Sequence, residues 1–223
     1  MISSNNKLIE HLPKNFDSLK NYDVLILNDG DYYDKFNLAN DNLITIGVIV
    51  NERLDSYTPW ASPSLKENGK DFGGLCDEYN RWLENELVPY IKAKFKVNRL
   101  IYGGYSLGGL AALYSLYKID LFDVVFSVCG SCWYPGFKEF TENNQPLNSS
   151  TQVFMLNGII EGINHGNILE NAFENSYIVI KNIIQKNKKF KVIFDQYGHH
   201  AKVHERFMKV YEWINETKKE TRI

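Results

Sequence analysis

A serine flanked by glycines lies at the centre of the most informative stretch of the sequence. Residues 100–112 are typical of a short apolar strand, a glycine-rich turn and a helix rich in Leu and Ala, with Gly104-Tyr105-Ser106-Leu107-Gly108 at the turn. G-x-S-x-G between a strand and a helix is the pattern of a nucleophile elbow, whose strained turn exposes the serine hydroxyl. The pattern predicts Ser106 as a nucleophile and the N–H of Leu107 as an oxyanion donor at the helix N-terminus. The alternative is a tight glycine turn with a bystander serine.

A serine hydroxyl is a poor nucleophile, so it needs a general base within hydrogen-bonding reach and a carboxylate that orients the base. With this elbow the partners follow in the order Ser, acid, His. His199 is the predicted base because it follows both the last predicted strand and a glycine, and His200 is its near competitor. Glu161 is the predicted acid, from the loop after the preceding strand, and Asp195 is its rival.

The loop after an early strand should supply a second oxyanion N–H. The turn Asn28-Asp29-Gly30-Asp31 occupies that place, and Asp31 is the predicted donor. The carboxylates of Asp29, Asp31 and Asp34 would oppose a developing oxyanion unless they point away or are paired. Asp31 is therefore expected to contribute its N–H and not its side chain.

Two other groups of residues have metal-like spacing, but both patterns are incomplete. Cys129 and Cys132 form a lone C-x-x-C with no second pair, so we interpret them as small buried residues; the alternative is a redox or metal role. His200 and His204 lie one helical turn apart, but Ala201 stands where H-E-x-x-H has its glutamate. The sequence predicts no metal and no other cofactor.

Apolar runs alternate with helical patterns along the chain. Strands are predicted over 7–12, 23–27, 43–50, the elbow strand, 122–128, 152–156 and 190–194, with helices over 75–95, 168–186 and from after His200 to about residue 217. Pro89 predicts a kink or break in the first helix, and residues 51–72 and 129–151 show no periodicity. The alternation favours a doubly wound parallel sheet, whose ligands bind at the carboxyl ends of the strands.

Composition limits the classes of function. The chain has 223 residues, of which 44% are hydrophobic, and a formal net charge of −2. We expect one domain over residues 1–223, with neither nucleic acid nor a membrane as partner. The first seven residues lack the apolar region of a signal peptide, and no apolar run is long enough to span a bilayer, so a cytoplasmic location is expected. The oligomeric state stays open.

Several of these motifs together resemble the putative-esterase family of α/β-hydrolases, which includes enterochelin esterases, esterase D and the mycolyltransferases. Three sites depart from the family pattern: Ser56 replaces an acidic residue, Tyr197 replaces the first glycine of G-G-H, and His200-Ala201 stand where an aromatic residue usually follows the histidine. The segments that carry the resemblance are Leu12-Pro13 with residues 24–30, Arg53 with Tyr57-Thr58-Pro59, Glu86-Leu87-Val88-Pro89-Tyr90-Ile91, the elbow, Gly158-Ile159-Ile160-Glu161, and Gly198-His199.

The resemblance implies an α/β-hydrolase fold with a mainly parallel, doubly wound sheet flanked by helices and a minimal lid. It also implies a serine esterase acting on a small-molecule ester through Ser106, His199 and Glu161, without a cofactor. Arg53, Tyr105 and Trp133 are the predicted substrate contacts, and Arg53 is equally well interpreted as a structural ion-pair partner. The alternatives are an acyltransferase with the same triad and a catalytically silent binding module.

Overall fold

The computed structural model describes residues 6–220, with side chains as far as residue 217. Residues 1–5, which carry most of the segment used to predict the absence of a signal peptide, lie outside this range. The strands are Lys7–His11 (β1), Tyr22–Asn28 (β2), Leu43–Ile49 (β3), Ala61–Ser62 (β4), Phe72–Gly73 (β5), Val97–Tyr105 (β6), Val124–Val128 (β7), Gln152–Gly158 (β8) and Phe190–Asp195 (β9).

The α-helices are Tyr32–Lys35 (α1), Arg53–Ser56 (α2), Cys76–Trp82 (α3), Val88–Lys94 (α4), Leu107–Ser115 (α5), Phe137–Asn143 (α6), Ala172–Ile184 (α7) and Val203–Glu220 (α8). A π-helical segment, Leu83–Leu87, joins α3 to α4, and a 3-10 turn, Ile168–Asn171, precedes α7. None of the helices in the described range combines the length and apolarity that a membrane crossing requires.

Seven strands form one sheet in the order β1-β3-β2-β6-β7-β8-β9. The edge strand β1 runs antiparallel to β3, and every other neighbouring pair is parallel. The central strands are continuous apolar runs because helices cover both faces of a parallel sheet. Val24 and Ile26 of β2 face one core together with α5, whereas Leu25 and Leu27 face the other together with α8. The mainly parallel, helix-flanked sheet agrees with the predicted fold class.

The strand order reverses between β2 and β6, which are neighbours in the sheet. From this point the chain runs outward through β3 on one side and through β7, β8 and β9 on the other. In such sheets the crevice at the carboxyl ends of the two strands is the usual ligand site. Asp31 follows β2 and Ser106 follows β6, so two predicted site residues lie at this reversal.

The long helix predicted over 75–95 is present, but its pitch changes in the middle. The π-helical segment ends directly before α4, whose first turn contains Pro89. Because proline has no N–H to donate to the preceding turn, the regular hydrogen-bond ladder cannot pass through this position. The predicted interruption therefore takes the form of a π-helical segment.

Two segments expected to lack periodic structure contain short elements. Residues 51–72 hold α2 and β4, and β4 pairs antiparallel with β5. Residues 129–151 hold α6, so the prediction of an irregular stretch there is wrong in part. This helix starts after Gly136, which is in the left-handed conformation with φ +79°. It has only seven residues, and its buried side chains, Phe137 and Thr141, are a single i, i+4 pair, too few to show a period.

Candidate active site

Ser106 stands on a strained turn between β6 and α5. Its backbone has φ 59° and ψ −122°, a conformation that residues with a side chain rarely adopt. A Cβ on Gly104 would lie 2.9 Å from the carbonyl carbon of Gly108, and a Cβ on either glycine would lie 2.9 Å from Cβ of Asn28. The two glycines of G-x-S-x-G are therefore required by close packing of the turn against β2. All nine residues of α5 are buried, which fixes the position of the turn.

His199 lies in the loop after β9 and reaches the serine. Its Nε2 is 3.0 Å from Oγ of Ser106. Tyr105 donates a hydrogen bond from its hydroxyl to the carbonyl of His199 at 2.7 Å, and the two rings lie 4.8 Å apart between centroids. The competing His200 instead places Nδ1 3.3 Å from the Tyr105 hydroxyl. The structure therefore brings His199, and not His200, to Ser106.

Glu161 lies on the other side of the imidazole, in the loop after β8. Its Oε2 is 3.0 Å from Nδ1 of His199, and its Oε1 accepts the N–H of Gly158 at 2.6 Å. The side chain is only 6% exposed, so the carboxylate is held in one orientation. The rival acid, Asp195, is engaged elsewhere, since both of its oxygens accept hydrogen bonds from Arg206 at 2.6 and 2.7 Å. Ser106, His199 and Glu161 thus form one hydrogen-bonded row.

Two backbone N–H groups at the strand reversal are not used elsewhere. Leu107 begins α5, and Asp31 directly precedes α1. Within residues 6–220, neither N–H donates to another protein group. The Asp31 turn is held against β3, because Gly30 donates its N–H to the carbonyl of Val48 at 2.9 Å. A Cβ on Gly30 would lie 2.5 Å from the carbonyl carbon of Gly47, so only glycine permits this approach.

The acidic residues near Asp31 are paired or directed into solvent. Arg53 binds Asp29 with two hydrogen bonds of 2.8 Å each, and the Asp31 side chain is exposed. The carboxylate nearest the turn is therefore compensated by a guanidinium. Arg53 also donates a longer hydrogen bond, of 3.4 Å, to the carbonyl of Tyr105. These contacts make Arg53 the structural ion-pair partner considered above, and its contact with substrate stays a prediction.

Arg206 is a residue of the site that the sequence reasoning missed. Its side chain is only 1% exposed, and besides Asp195 it donates hydrogen bonds to the carbonyl of His199 at 3.1 Å and to Sγ of Cys129 at 2.7 Å. A sequence pattern could have identified it, because Arg206 falls on the apolar stripe of α8 that includes Val203 and Val210. An arginine on the core side of a helix has to be paired, and here its partners are the residues around His199.

The structure brings one of the two cysteines of the C-x-x-C close to the triad. Ligand atoms of Cys129, Glu161 and His199 all lie within 4.8 Å of one another, the one such cluster within residues 6–220. Burial raises the pKa of the Cys129 thiol well above its usual range, and the guanidinium of Arg206 contacts its sulfur. A protonated thiol beside a fixed positive charge is a poor ligand for a metal cation. The cluster fits a packed carboxylate–imidazole pair better than a metal centre.

The two histidines with metal-like spacing, His200 and His204, contact different groups. His204 places Nδ1 2.8 Å from the carbonyl of Phe36, while His200 faces Tyr105. Cys132 is buried and does not belong to the cluster around Glu161.

A cavity of about 450 Å³ opens beside the serine. Of the three predicted substrate contacts, Trp133 lines this cavity. Tyr105 is only 3% exposed and does not line it; its hydroxyl instead donates a hydrogen bond to the carbonyl of His199. The lining residues are Ser106, Trp133, Ile160, Glu161, Gly162, Ile163, His165, Leu169, Ala172, Gly198, His199 and His200.

Comparison with known proteins gives one family and a set of similar folds. The model of a family described as Putative esterase matches residues 2–205. The uncharacterized protein YbbA of Bacillus subtilis is 34% identical over 125 residues, which is 54% of this chain and only 50% of that protein.

Solved structures resemble the fold over most of its length. An IroE-like serine hydrolase from Shewanella oneidensis has a TM-score of 0.79 and 20% identity, covering 92% of this chain and 73% of that one. The siderophore hydrolase EstA from Aspergillus nidulans has a TM-score of 0.76 and 15% identity, covering 95% and 90%. At these identities the similarity establishes the fold, which is that of the α/β-hydrolases.

Proposed function

Because the chain belongs to the Putative esterase family, we propose that it hydrolyses small-molecule carboxylic esters with Ser106 as nucleophile, His199 as base and Glu161 as orienting acid. The membership confirms the predicted family and supports the prediction of an esterase enzyme. The triad rests on one observation, the continuous hydrogen-bond row from Glu161 through His199 to Ser106 at 3.0 Å per step.

In the first half of the reaction, Oγ of Ser106 attacks the ester carbonyl while Nε2 of His199 takes the hydroxyl proton. Glu161 accepts the Nδ1–H of His199, which fixes the tautomer and stabilises the imidazolium that forms. The imidazolium then protonates the departing alcohol and leaves an acyl-enzyme. In the second half, water enters, His199 takes its proton, and the carboxylic acid leaves as Ser106 is restored.

The tetrahedral intermediates carry a negative oxygen that needs preorganised donors. The N–H groups of Leu107 and Asp31 are the proposed pair, since each is free of a protein acceptor in the described range. The pairing of Asp29 with Arg53 supports this assignment, because an uncompensated carboxylate beside the oxyanion would oppose its formation.

The experiment that tests the proposal is labelling with a fluorophosphonate, followed by peptide mapping and an assay on p-nitrophenyl acetate. We expect the label on Ser106, and we expect Ser106→Ala to lower kcat on the order of 10⁴-fold while the circular dichroism spectrum is retained. Retained activity in Ser106→Ala would refute the assignment of the nucleophile.

The same experiment separates the two rival functions. A folded protein whose Ser106 does not react would be the catalytically silent binding module. A labelled protein that transfers its acyl group to an added alcohol faster than to water would be the acyltransferase. A cytoplasmic location and a monodomain organisation remain predictions beside this proposal.

A further inference from the structure

The cavity beside Ser106 borders the loop that carries His199. Gly198, His199 and His200 form one of its walls, and the loop that carries Glu161 forms another. Neither Leu107 nor Asp31, the proposed oxyanion donors, belongs to its lining. The cavity is therefore on the histidine side of the serine, away from the N–H pair.

This placement decides which half of an ester enters the cavity. In the tetrahedral intermediate the negative oxygen faces the N–H pair, and the leaving oxygen must lie within hydrogen-bonding reach of Nε2 of His199, which protonates it. The group attached to the leaving oxygen then extends along the histidine side. That group is the alcohol portion of the ester, and the cavity is the space available to it.

Apolar residues form a large part of the cavity wall. Half of the side chains in the lining are apolar, namely those of Ile160, Ile163, Leu169, Ala172 and Trp133. Ile160 is 46% exposed and Ile163 is 53% exposed, although both are large apolar residues at the mouth of a site. Exposed apolar side chains grouped at a concave surface are typical of a ligand-binding wall.

The lining also lacks a permanently charged cation. No lysine or arginine belongs to it, and its basic groups are the imidazoles of His165, His199 and His200. Its one carboxylate, that of Glu161, already accepts hydrogen bonds from His199 and Gly158. Burial lowers the pKa of His200, which favours the neutral imidazole at neutral pH. An ionic alcohol would enter this space without a permanent, unpaired charge to compensate it.

We infer that the cavity selects esters whose alcohol portion is uncharged and apolar. This inference rests on the proposed function, because it takes Ser106 and His199 in the roles given above. A volume of about 450 Å³ is within the range of small-molecule sites, so an alcohol of several carbons fits. By the transfer energy of a buried methylene, each added CH₂ should raise kcat/KM about three- to fourfold until the cavity is filled.

The test varies the alcohol at a constant acyl group. Acetate release is measured from methyl, butyl and hexyl acetate, from acetylcholine and from O-acetyl glycolate. We expect kcat/KM to rise along the alkyl series and to be at least tenfold lower for either charged ester than for butyl acetate. A parallel series of methyl esters with lengthening acyl chains separates the acyl side from the alcohol side.

Ile163→Asp places a charge on the cavity wall at an exposed position, where it should not disturb folding. We expect it to reduce the preference for hexyl over methyl acetate at least tenfold. Ile159→Asp is the matched control, because Ile159 is 41% exposed on the same loop but does not line the cavity. Its preference should equal that of the wild type.

The outcomes distinguish the inference from the proposed function. If Ser106 takes the fluorophosphonate and methyl acetate is hydrolysed but the alkyl series is flat, the inference fails and the esterase assignment stands. If Ile163→Asp changes only the acyl series, the cavity holds the acyl group and the inference is overturned. Absence of both labelling and hydrolysis would refute the proposed function itself.

Discussion

Two aspartate–arginine pairs flank the triad, one on each side of Ser106. On the β2 side Arg53 binds Asp29 through two hydrogen bonds of 2.8 Å, beside the turn that presents the N–H of Asp31. On the β9 side Arg206 binds Asp195 through two hydrogen bonds of 2.6 and 2.7 Å, beside the loop that presents His199. Each pair has the bidentate geometry that fixes the relative position of two chain segments.

The pairs differ in burial and in the number of further acceptors. Arg53 is 32% exposed, and its additional contact is the long one to the carbonyl of Tyr105. Arg206 is 1% exposed and also binds the carbonyls of His199 and Tyr197 and the sulfur of Cys129. The pair beside the histidine is therefore part of the core, whereas the pair beside the oxyanion turn opens toward solvent. We expect loss of either pair to affect both stability and catalysis, with the larger effects from the pair beside the histidine.

The largest effect is expected from Arg206→Met. Removing one partner of a buried ion pair typically costs about 3–5 kcal/mol, because the remaining charge stays desolvated. The loop of His199 also loses its anchor, and a displacement of about 1 Å at a catalytic base can lower kcat about 100-fold. Urea unfolding and kcat at a temperature where the variant is folded measure the two effects.

The exposed Arg81→Met is the control for Arg206→Met, since Arg81 is 61% exposed and pairs with Glu78 on the surface. It should leave both stability and kcat close to the wild type. A wild-type kcat in folded Arg206→Met would show that the histidine loop holds its position without this anchor.

A smaller effect is expected from Arg53→Met. The carboxylate of Asp29 would remain buried without its partner, which costs about 1–3 kcal/mol, less than the loss at Arg206. Its uncompensated charge beside the proposed oxyanion site should lower kcat about 10-fold with little change in KM for p-nitrophenyl acetate. If KM rose while kcat stayed constant, Arg53 would instead be the substrate contact predicted from the sequence.

The smallest effect is expected from Asp195→Asn, whose cost in stability should depend on pH in the acidic range. Burial of Asp195 works to raise the pKa of its carboxyl, but the hydrogen bonds from Arg206 outweigh this and hold the pKa below 3.8. The Asp195 carboxylate thus binds a proton less readily in the folded state than in the unfolded chain. The contribution of the pair to stability is therefore complete above pH 3.8, the ordinary pKa of the group, and it is lost as the pH falls through the lower pKa of the folded state. Asp195→Asn should be less stable than wild type at pH 7, and this difference should shrink as the pH falls below about 4.

Urea titrations at several pH values measure that difference. In the Arg206→Met background the same substitution should be neutral or stabilising, because it removes an unpaired buried charge. A difference between Asp195→Asn and wild type that does not change with pH would contradict the depressed pKa.

The nucleophile turn could be predicted from the sequence because its residues form one recognisable pattern, although the packing that requires its glycines also involves Asn28 of β2. Ser106, its flanking glycines and the N–H of Leu107 all belong to one continuous segment, where sterics dictate the residue types. His199 and Glu161 could be predicted from their places after successive strands, because parallel strands bring their carboxyl ends to one edge. The choice between His199 and His200 depended on one adjacent glycine, and only the fold distinguishes their partners.

Arg206 and α6 could not be predicted in the same way. The role of Arg206 depends on how α8 folds back against Asp195, the loop after β9 and Cys129, which follows β7. An arginine in an amphipathic helix is ordinarily a solvated one. Arg53 had two equal interpretations for a similar reason, since the buried state of Asp29 is a property of the folded β2 turn. Local patterns thus identify the groups that react, while the ion pairs that hold them depend on tertiary packing.

The contact between Gly30 and Gly47 has a consequence for how the sequence can vary. A Cβ on Gly47 would lie 2.8 Å from Cα of Gly30, so the restriction is mutual. Neither position gains room when the other is already glycine, and two larger residues would separate β2 from β3 at the turn of Asp31. In a library that varies both positions, no pair of larger residues at 30 and 47 should therefore be tolerated, although Gly30 lies in the turn after β2, Gly47 lies in β3, and neither contributes a side chain to the chemistry.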